Sequence, residues 1–338
     1  MLRTLRGLVA THCRAAATSS NSAVSPISRS EIDSALFDDV QSRVNQHGRT
    51  IEKILVTLVN KDGSKKDYLM NRNVSTPFDC AKHMNMLLAK RAILALTSYS
   101  DGNTQLECMN EPFRDKCSLE LLDFQNEKYA AELNKAYWRS CSVLLAAILS
   151  EGLKDHVSVS ALHCEVPKSY FAVDINGLAS SLSQSDLRDL SLFARSQFID
   201  NSIPFETVSL PAELATDYGF DSSLRLCRLG TFVTAVDGPV ISRSDQVGRF
   251  SIVKVNMLRL HHRGGTYSIL SLEACSLSLH PSFRPRCDGA NAQSVFLRRT
   301  ALSKGDYTHF GGVSLPAAQK TSSFLWEKIV ENAKDRIG

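Results

Sequence analysis

Tyr137-Trp138-Arg139-Ser140-Cys141-Ser142-Val143-Leu144-Leu145 lies inside a run, Glu127 to Leu149, that reads as one long helix. An apolar run follows the aromatic pair. Residues 139 and 143 are one turn apart and share a face. A guanidinium is no base near neutral pH, and an isopropyl group has no lone pair. This face therefore offers neither an acid–base pair nor a metal ligand.

Working outward toward the C-terminus, Ser169 to Asp174 is an aromatic-rich strand ending in an acid. Ser185 to Asp200 reads as a second helix, with Ser185 as cap and Leu187, Leu190, Leu192 and Phe193 apolar. Pro204 and Pro211 break the segment that follows. Phe250 to Leu260 and Tyr267 to Leu279 read as sheet. The stretch Asp306 to Pro316 ends in Gly312-Val313-Ser314-Leu315-Pro316, and Phe324 to Arg336 predicts a terminal helix with Leu325, Ile329 and Ala333 on its stripe.

Toward the N-terminus, residues 31–50 are polar and charged and predict a short lead-in helix. In Ile54 to Asn60, both alternating faces carry apolar side chains, which predicts a strand buried on two sides. Asp62-Gly63 signals a hairpin, with Lys66 to Met70 as the return strand. Thr76-Pro77-Phe78-Asp79 is a helix start: Thr76 caps, Pro77 suits the first turn, and Asp79 closes a capping box. Phe78, Ala81 and Met84 supply its inner stripe. Short strands are predicted at Ala92 to Thr97 and Leu119 to Phe124. Strand, hairpin, strand, helix and further strands is a β-grasp order.

A chain of 338 residues has room for two or three domains. Its 43% apolar content is ordinary for a globular protein. No run of about 18 apolar residues appears, so no membrane span is expected. Nine scattered cysteines without CxxC pairs suit a reducing compartment rather than a disulfide framework or a zinc ribbon. Residues 1–30 contain Arg3, Arg6, Arg14 and Arg29, no acid, and leucines at helical spacing. That composition predicts a mitochondrial transit peptide. Four of the 39 basic residues lie there, so its removal leaves 35 against 35 acidic. A neutral mature chain has no bulk electrostatic grip on nucleic acid, and RNA contacts would come from local patches. Candidates are Arg259, His261, His262 and Arg263, then Arg284 with Arg286, and Arg298 with Arg299. No P-loop, dinucleotide fingerprint or serine nucleophile elbow is present.

Asp62-Gly63-Ser64, Ser75 to Ala81 and Lys90-Arg91-Ala92 together resemble the TGS domain, a β-grasp module of threonyl-tRNA synthetase and some GTPases. The 137–145 helix, Leu226-Cys227-Arg228-Leu229-Gly230-Thr231 and the Gly312-to-Pro316 string resemble the editing domain that follows it in the synthetase. In that family two helix histidines and a CxxxH pair form the editing site. The matching positions here are Arg139, Val143, Cys227 and Thr231, so only the cysteine remains. A lone thiol without a neighbouring base stays largely protonated. The aminoacylation domain would begin where this chain ends.

The resemblance covers roughly residues 52 to 316 and implies an α+β chain. Its parts would be a transit peptide (1–30), a lead-in segment (31–50), a TGS domain (51–125), a degenerate editing-like domain (126–318) and a C-terminal helix (319–338). It is also similar to the large-subunit proteins of the mitochondrial ribosome that are related to this synthetase half. That similarity implies a non-catalytic role in the matrix, with large-subunit rRNA and other mitochondrial ribosomal proteins as partners. No cofactor, metal or small-molecule substrate is expected. The alternative is a stand-alone tRNA-binding or mischarged-tRNA-deacylating protein, which would need a positioned base from elsewhere.

Overall fold

The computed structural model describes residues 32–45, 51–153, 157–165, 170–178, 181–263, 266–271 and 307–336. Among these residues the architecture is mixed α+β, with three sheets.

The first sheet starts with the hairpin of β1 (Lys53–Val59) and β2 (Lys65–Asn71). Gly63 turns it at φ 80°, a conformation that favours glycine. The Ser64 N–H and hydroxyl donate to Asp62 Oδ1 at 2.9 and 2.6 Å. Helix α2 (Pro77–Met84) begins at the expected capping box between Thr76 and Asp79. Asn85 ends it and restarts the chain as α3 (Met86–Arg91), its side chain accepting from Leu87 N–H at 2.8 Å. Strands β3 (Leu94–Tyr99), β4 (Thr104–Cys108) and β5 (Cys117–Leu122) complete the order β2-β1-β5-β3-β4, with β1 and β5 parallel.

Ile54, Val56 and Leu58 are buried, but Leu55 is 50% exposed. The expectation of a strand buried on both faces is therefore corrected: the helices cover one face only. Within α2 the buried side chains are Pro77, Cys80 and Ala81, while Phe78 and Met84 are half-buried.

Helix α4 (Ala130–Gly152) follows a 3-10 turn at Glu127–Tyr129. Every residue from Ser140 to Leu149 is buried, so this helix is enclosed all round, as its apolar sequence requires. It packs on β6 (Ser158–Glu165) and β7 (Tyr170–Asn176). These strands join β11 (Val247–Arg263), β12 (Thr266–Ser271) and β13 (Tyr307–Pro316) in the antiparallel order β12-β11-β13-β7-β6. The cap of α5 (Gln184–Phe193) is Ser183, boxed with Asp186, and not Ser185. Either serine satisfies the composition rule, and only the chain's entry angle selects between them. The helix runs on into a π-helical turn at Ala194–Ile199.

Between the two prolines lies a strand, β8 (Phe205–Leu210), which pairs with β9 (Leu224–Leu229), while β9 pairs with β10 (Phe232–Val236). Pro204 and Pro211 bracket this strand rather than prevent it. A four-residue helix, α6 (Ala212–Ala215), follows β8. The lead-in helix α1 (Ser34–Asn45) lies on this third sheet. Its Phe37 and Val40 are fully buried in a cluster with Val208, Leu226 and Val233. Arg228 spans the contact, pairing with Asp38 at 2.6 Å and lying 4.4 Å from the Phe37 ring centroid.

The C-terminal helix α7 (Ser323–Arg336) covers the outer face of β11 and β13. Its contact stripe is Trp326, Val330 and Ala333, with Leu325 49% exposed. The expected stripe is thus off by about one residue. The tryptophan supplies the larger apolar area and fixes the helix rotation.

Two distant sequence motifs meet at the centre. The Ser314 hydroxyl donates to the Arg249 carbonyl at 2.6 Å, so the buried Tyr137 hydroxyl donates to Ser314 Oγ at 2.6 Å. Rings of Phe124, Tyr137, Trp138, Phe171 and Phe250 follow one another at centroid spacings of 5.3–6.0 Å.

Candidate functional site

The helix face read first in the sequence is closed. Val143 is fully buried. Arg139 is 5% exposed; its Nε binds Asp237 Oδ1 at 2.6 Å and its Nη1 donates to the Pro239 carbonyl at 2.6 Å. Burial pushes the Asp237 carboxyl up, but the Arg139 guanidinium overrides this and holds it below the usual range. A Cβ on Gly238 would lie 2.8 Å from Arg139 Nη2, so the 237–239 strap is fitted around the guanidinium. One residue on, Ser140 Oγ accepts from Ile241 N–H at 2.8 Å. The arginine acts here as a structural pin.

Cys227 is fully buried on β9, facing Thr207 and Thr234 in register, and burial pushes its thiol well above the ordinary value. A thiol in that state is a small core group and not a nucleophile. Thr231 is exposed at the β9–β10 turn and donates to Glu151 Oε1 at 2.5 Å. Arg139 and Glu151 are separated along α4 by about 18 Å at 1.5 Å per residue. The structure therefore holds Arg139 near the middle of the helix and Thr231 beside its C-terminal end, and does not gather the four positions at one point.

Polar residues do converge on the opposite side of the large sheet. Asp174, at the end of the aromatic strand, is 8% exposed. Its Oδ2 accepts from His163 Nε2 at 2.7 Å and its Oδ1 from His309 Nδ1 at 2.6 Å. Asp174 and His309 face each other across β7 and β13. Burial raises the carboxyl, yet the two histidine bonds lower it to about 2. It is ionised at neutral pH, so both ring nitrogens donate. Their ligand atoms lie within 4.8 Å of one another, close enough to consider a metal. Around zinc, however, neighbouring nitrogens and oxygens stand about 3.3 Å apart, given bonds near 2.0 Å and tetrahedral angles. Contacts of 2.6–2.7 Å are hydrogen bonds, and the arrangement is a His–Asp–His clamp across three strands. Sequence reading missed His163 and His309. Period-two alternation places each on a strand face, but β13, which brings His309 to Asp174, lies 135 residues away in the chain.

Arg259, His261, His262 and Arg263 fall on the far end of β11, whose backbone pairs with β12 from Leu258↔Ser271 to Arg263↔Thr266. Arg284, Arg286, Arg298 and Arg299 lie outside the described residues, as do residues 1–31. Among the described residues, no helix is long and apolar enough to cross a membrane.

Compared with described protein families, the chain matches none. Compared with curated proteins, it is similar to the large ribosomal subunit protein mL39 of Drosophila melanogaster, at 36% identity over 127 residues. The matched stretch is 37% of this chain and 35% of that protein.

Proposed function

We propose that this chain is a structural, non-catalytic protein of the large subunit of the mitochondrial ribosome, bound to large-subunit rRNA and to neighbouring ribosomal proteins. The observation that carries the reading is the 36% identity to the Drosophila large-subunit protein. The acid-free leader with its four arginines supports a mitochondrial destination. The order β2-β1-β5-β3-β4 around a single-sided helical layer supports the TGS resemblance. The pinned Arg139, the buried Val143 and the buried, protonated Cys227 support an editing-like scaffold without editing chemistry. Candidate rRNA contacts are the basic residues at 259–263, 284–286 and 298–299.

The test is sedimentation. Tagged protein in mitochondrial lysate is run on sucrose gradients with and without magnesium. The expected result is co-migration with the large subunit, separate from the small subunit when magnesium is withdrawn. A protein that stays near the top of both gradients, or follows tRNA, overturns the proposal.

A further inference from the structure

A cleft of about 710 Å³ opens where α5 and its π turn, the start of β11, the 316–321 segment and the first turn of α7 meet. Among the described residues, four cations line it, Arg188, Arg195, Arg249 and Lys320, and no carboxylate does. Arg249 is set in place by its Nη2 bond to the Thr321 carbonyl at 2.8 Å, with its guanidinium 5.9 Å from the Trp326 ring centroid. Arg195 is held only loosely, 3.7 Å from Asp200 with both side chains exposed. Arg188 and Lys320 are exposed and have no carboxylate partner among the described residues. Trp326 also lines a smaller hollow with Glu327, Glu331 and Lys334, so the four-cation cleft lies on one side of it and a mixed-charge hollow on the other. Apolar surface flanks the cations: Leu192 is 59% exposed and Phe324 77%.

We propose that this cleft seats an unpaired nucleotide of an RNA strand, with its flanking phosphates on Arg188, Arg195 and Lys320 and its base against Trp326. The inference rests on the ribosomal reading and names a surface that the sequence patches do not include. Four cations, with only the loosely placed Asp200 beside one of them, concentrate a positive field in a concave site. An acidic peptide would satisfy that field but would leave the flat aromatic and apolar surface unused. Single-stranded nucleic acid uses both, because every base has a stacking face beside a charged backbone. A-form duplex hides its base faces and presents only sugar and phosphate. The cleft is open on one side and its volume is that of a one-ligand cleft, which leaves the strand free to run out of it.

The test uses the full mature chain and a fluorescein-labelled single-stranded RNA of 12 mixed nucleotides, followed by anisotropy across a salt series. Each phosphate neutralised on a single strand contributes about −0.7 to the slope of log K against log salt. Arg188→Glu/Lys320→Glu, both changes on exposed side chains, is expected to weaken binding at least about tenfold and to flatten the slope by about 1.4. Trp326→Leu, which keeps an apolar side chain against the sheet under α7 but removes the stacking face, is expected to weaken binding about tenfold while leaving the slope unchanged. Circular dichroism and melting confirm that each variant is folded. 4-Thiouridine crosslinks from the same RNA are expected on residues 321–328. An unchanged affinity and slope in the double variant, or crosslinks only elsewhere, overturns the inference. So does equal competition by polyglutamate or by an RNA duplex, which would assign the cleft to an acidic protein or to bare phosphate. The gradient experiment separates the two failures. Wild-type protein in the large-subunit peak with a cleft indifferent to RNA sinks this inference alone, whereas absence from that peak sinks the ribosomal reading.

Discussion

At the scale of single residues, the sharpest case is Asp174. Its carboxyl falls from the ordinary 3.8 to about 2 although the group is buried, because two histidine rings donate to it. A folded-state pKa below the unfolded one stabilises the native state above the unfolded value, and that stability disappears as pH falls through the folded value. The window here is from about pH 4 down to about pH 2. A shift of this size corresponds to about 2 kcal/mol. Asp174→Asn is therefore expected to be less stable than wild type at pH 7, with the difference vanishing toward pH 2. Urea unfolding at a series of acid pH values measures it. A difference that stays constant with pH would show that the carboxylate charge contributes nothing. The clamp itself was invisible beforehand, although Asp174 and His309 both lie in stretches the sequence had already singled out.

At the scale of elements, β13 packs against β7 so closely that a side chain at Gly312 has no room. An added Cβ would lie 2.6 Å from the Phe171 ring and 3.0 Å from the Ser251 carbonyl. Phe171 is fully buried and stacked on Phe250 at 5.3 Å, so it cannot swing aside. Gly312→Ala is expected to destabilise the protein by about 1–3 kcal/mol through overpacking. The denaturant midpoint should fall with the m-value unchanged. Adding Phe171→Leu should recover part of the loss, and strict additivity of the two changes would mean that they do not touch. Elements with strong local signals were legible: the Asp62-Gly63 hairpin, the Thr76 box and the long α4. Strands β4, β8 and β10 were not. They are five or six residues long, and β8 sits between prolines that read as breakers.

At the scale of the whole molecule, the first sheet is joined to the rest by polar ties and by shared core. Asn110 Nδ2 donates to the Phe205 and Ser242 carbonyls at 3.0 and 2.7 Å. Gln246 Nε2 donates to the Lys90 and Ala92 carbonyls at 3.1 and 2.7 Å. The buried Glu111 pairs with Arg225 at 3.1 Å. Ile93, Leu94 and Leu122 of the first sheet belong to the same apolar cluster as α4. A small sheet tied in this way is expected not to unfold by itself. Equilibrium unfolding should show coincident transitions by far-UV circular dichroism and by tryptophan emission, since both tryptophans lie beyond residue 130. An earlier transition seen only in circular dichroism would show that the first sheet unfolds separately.

The sequence by itself determined those features whose cause lies within a few residues. Turn chemistry placed the first hairpin, a side-chain cap placed α2, and the stretch Glu127 to Leu149 was legible as one long helix. It also determined that positions 139 and 143 offer no base. Tertiary structure alone decided what these positions do instead: Arg139 pins the 237–239 strap, and Ser140 holds Ile241. Contact partners nearly a hundred residues or more apart, such as Arg139 with Asp237 or Tyr137 with Ser314, leave no local signature. Side-chain type constrains what a residue can donate or accept, but only chain closure selects the group that receives it.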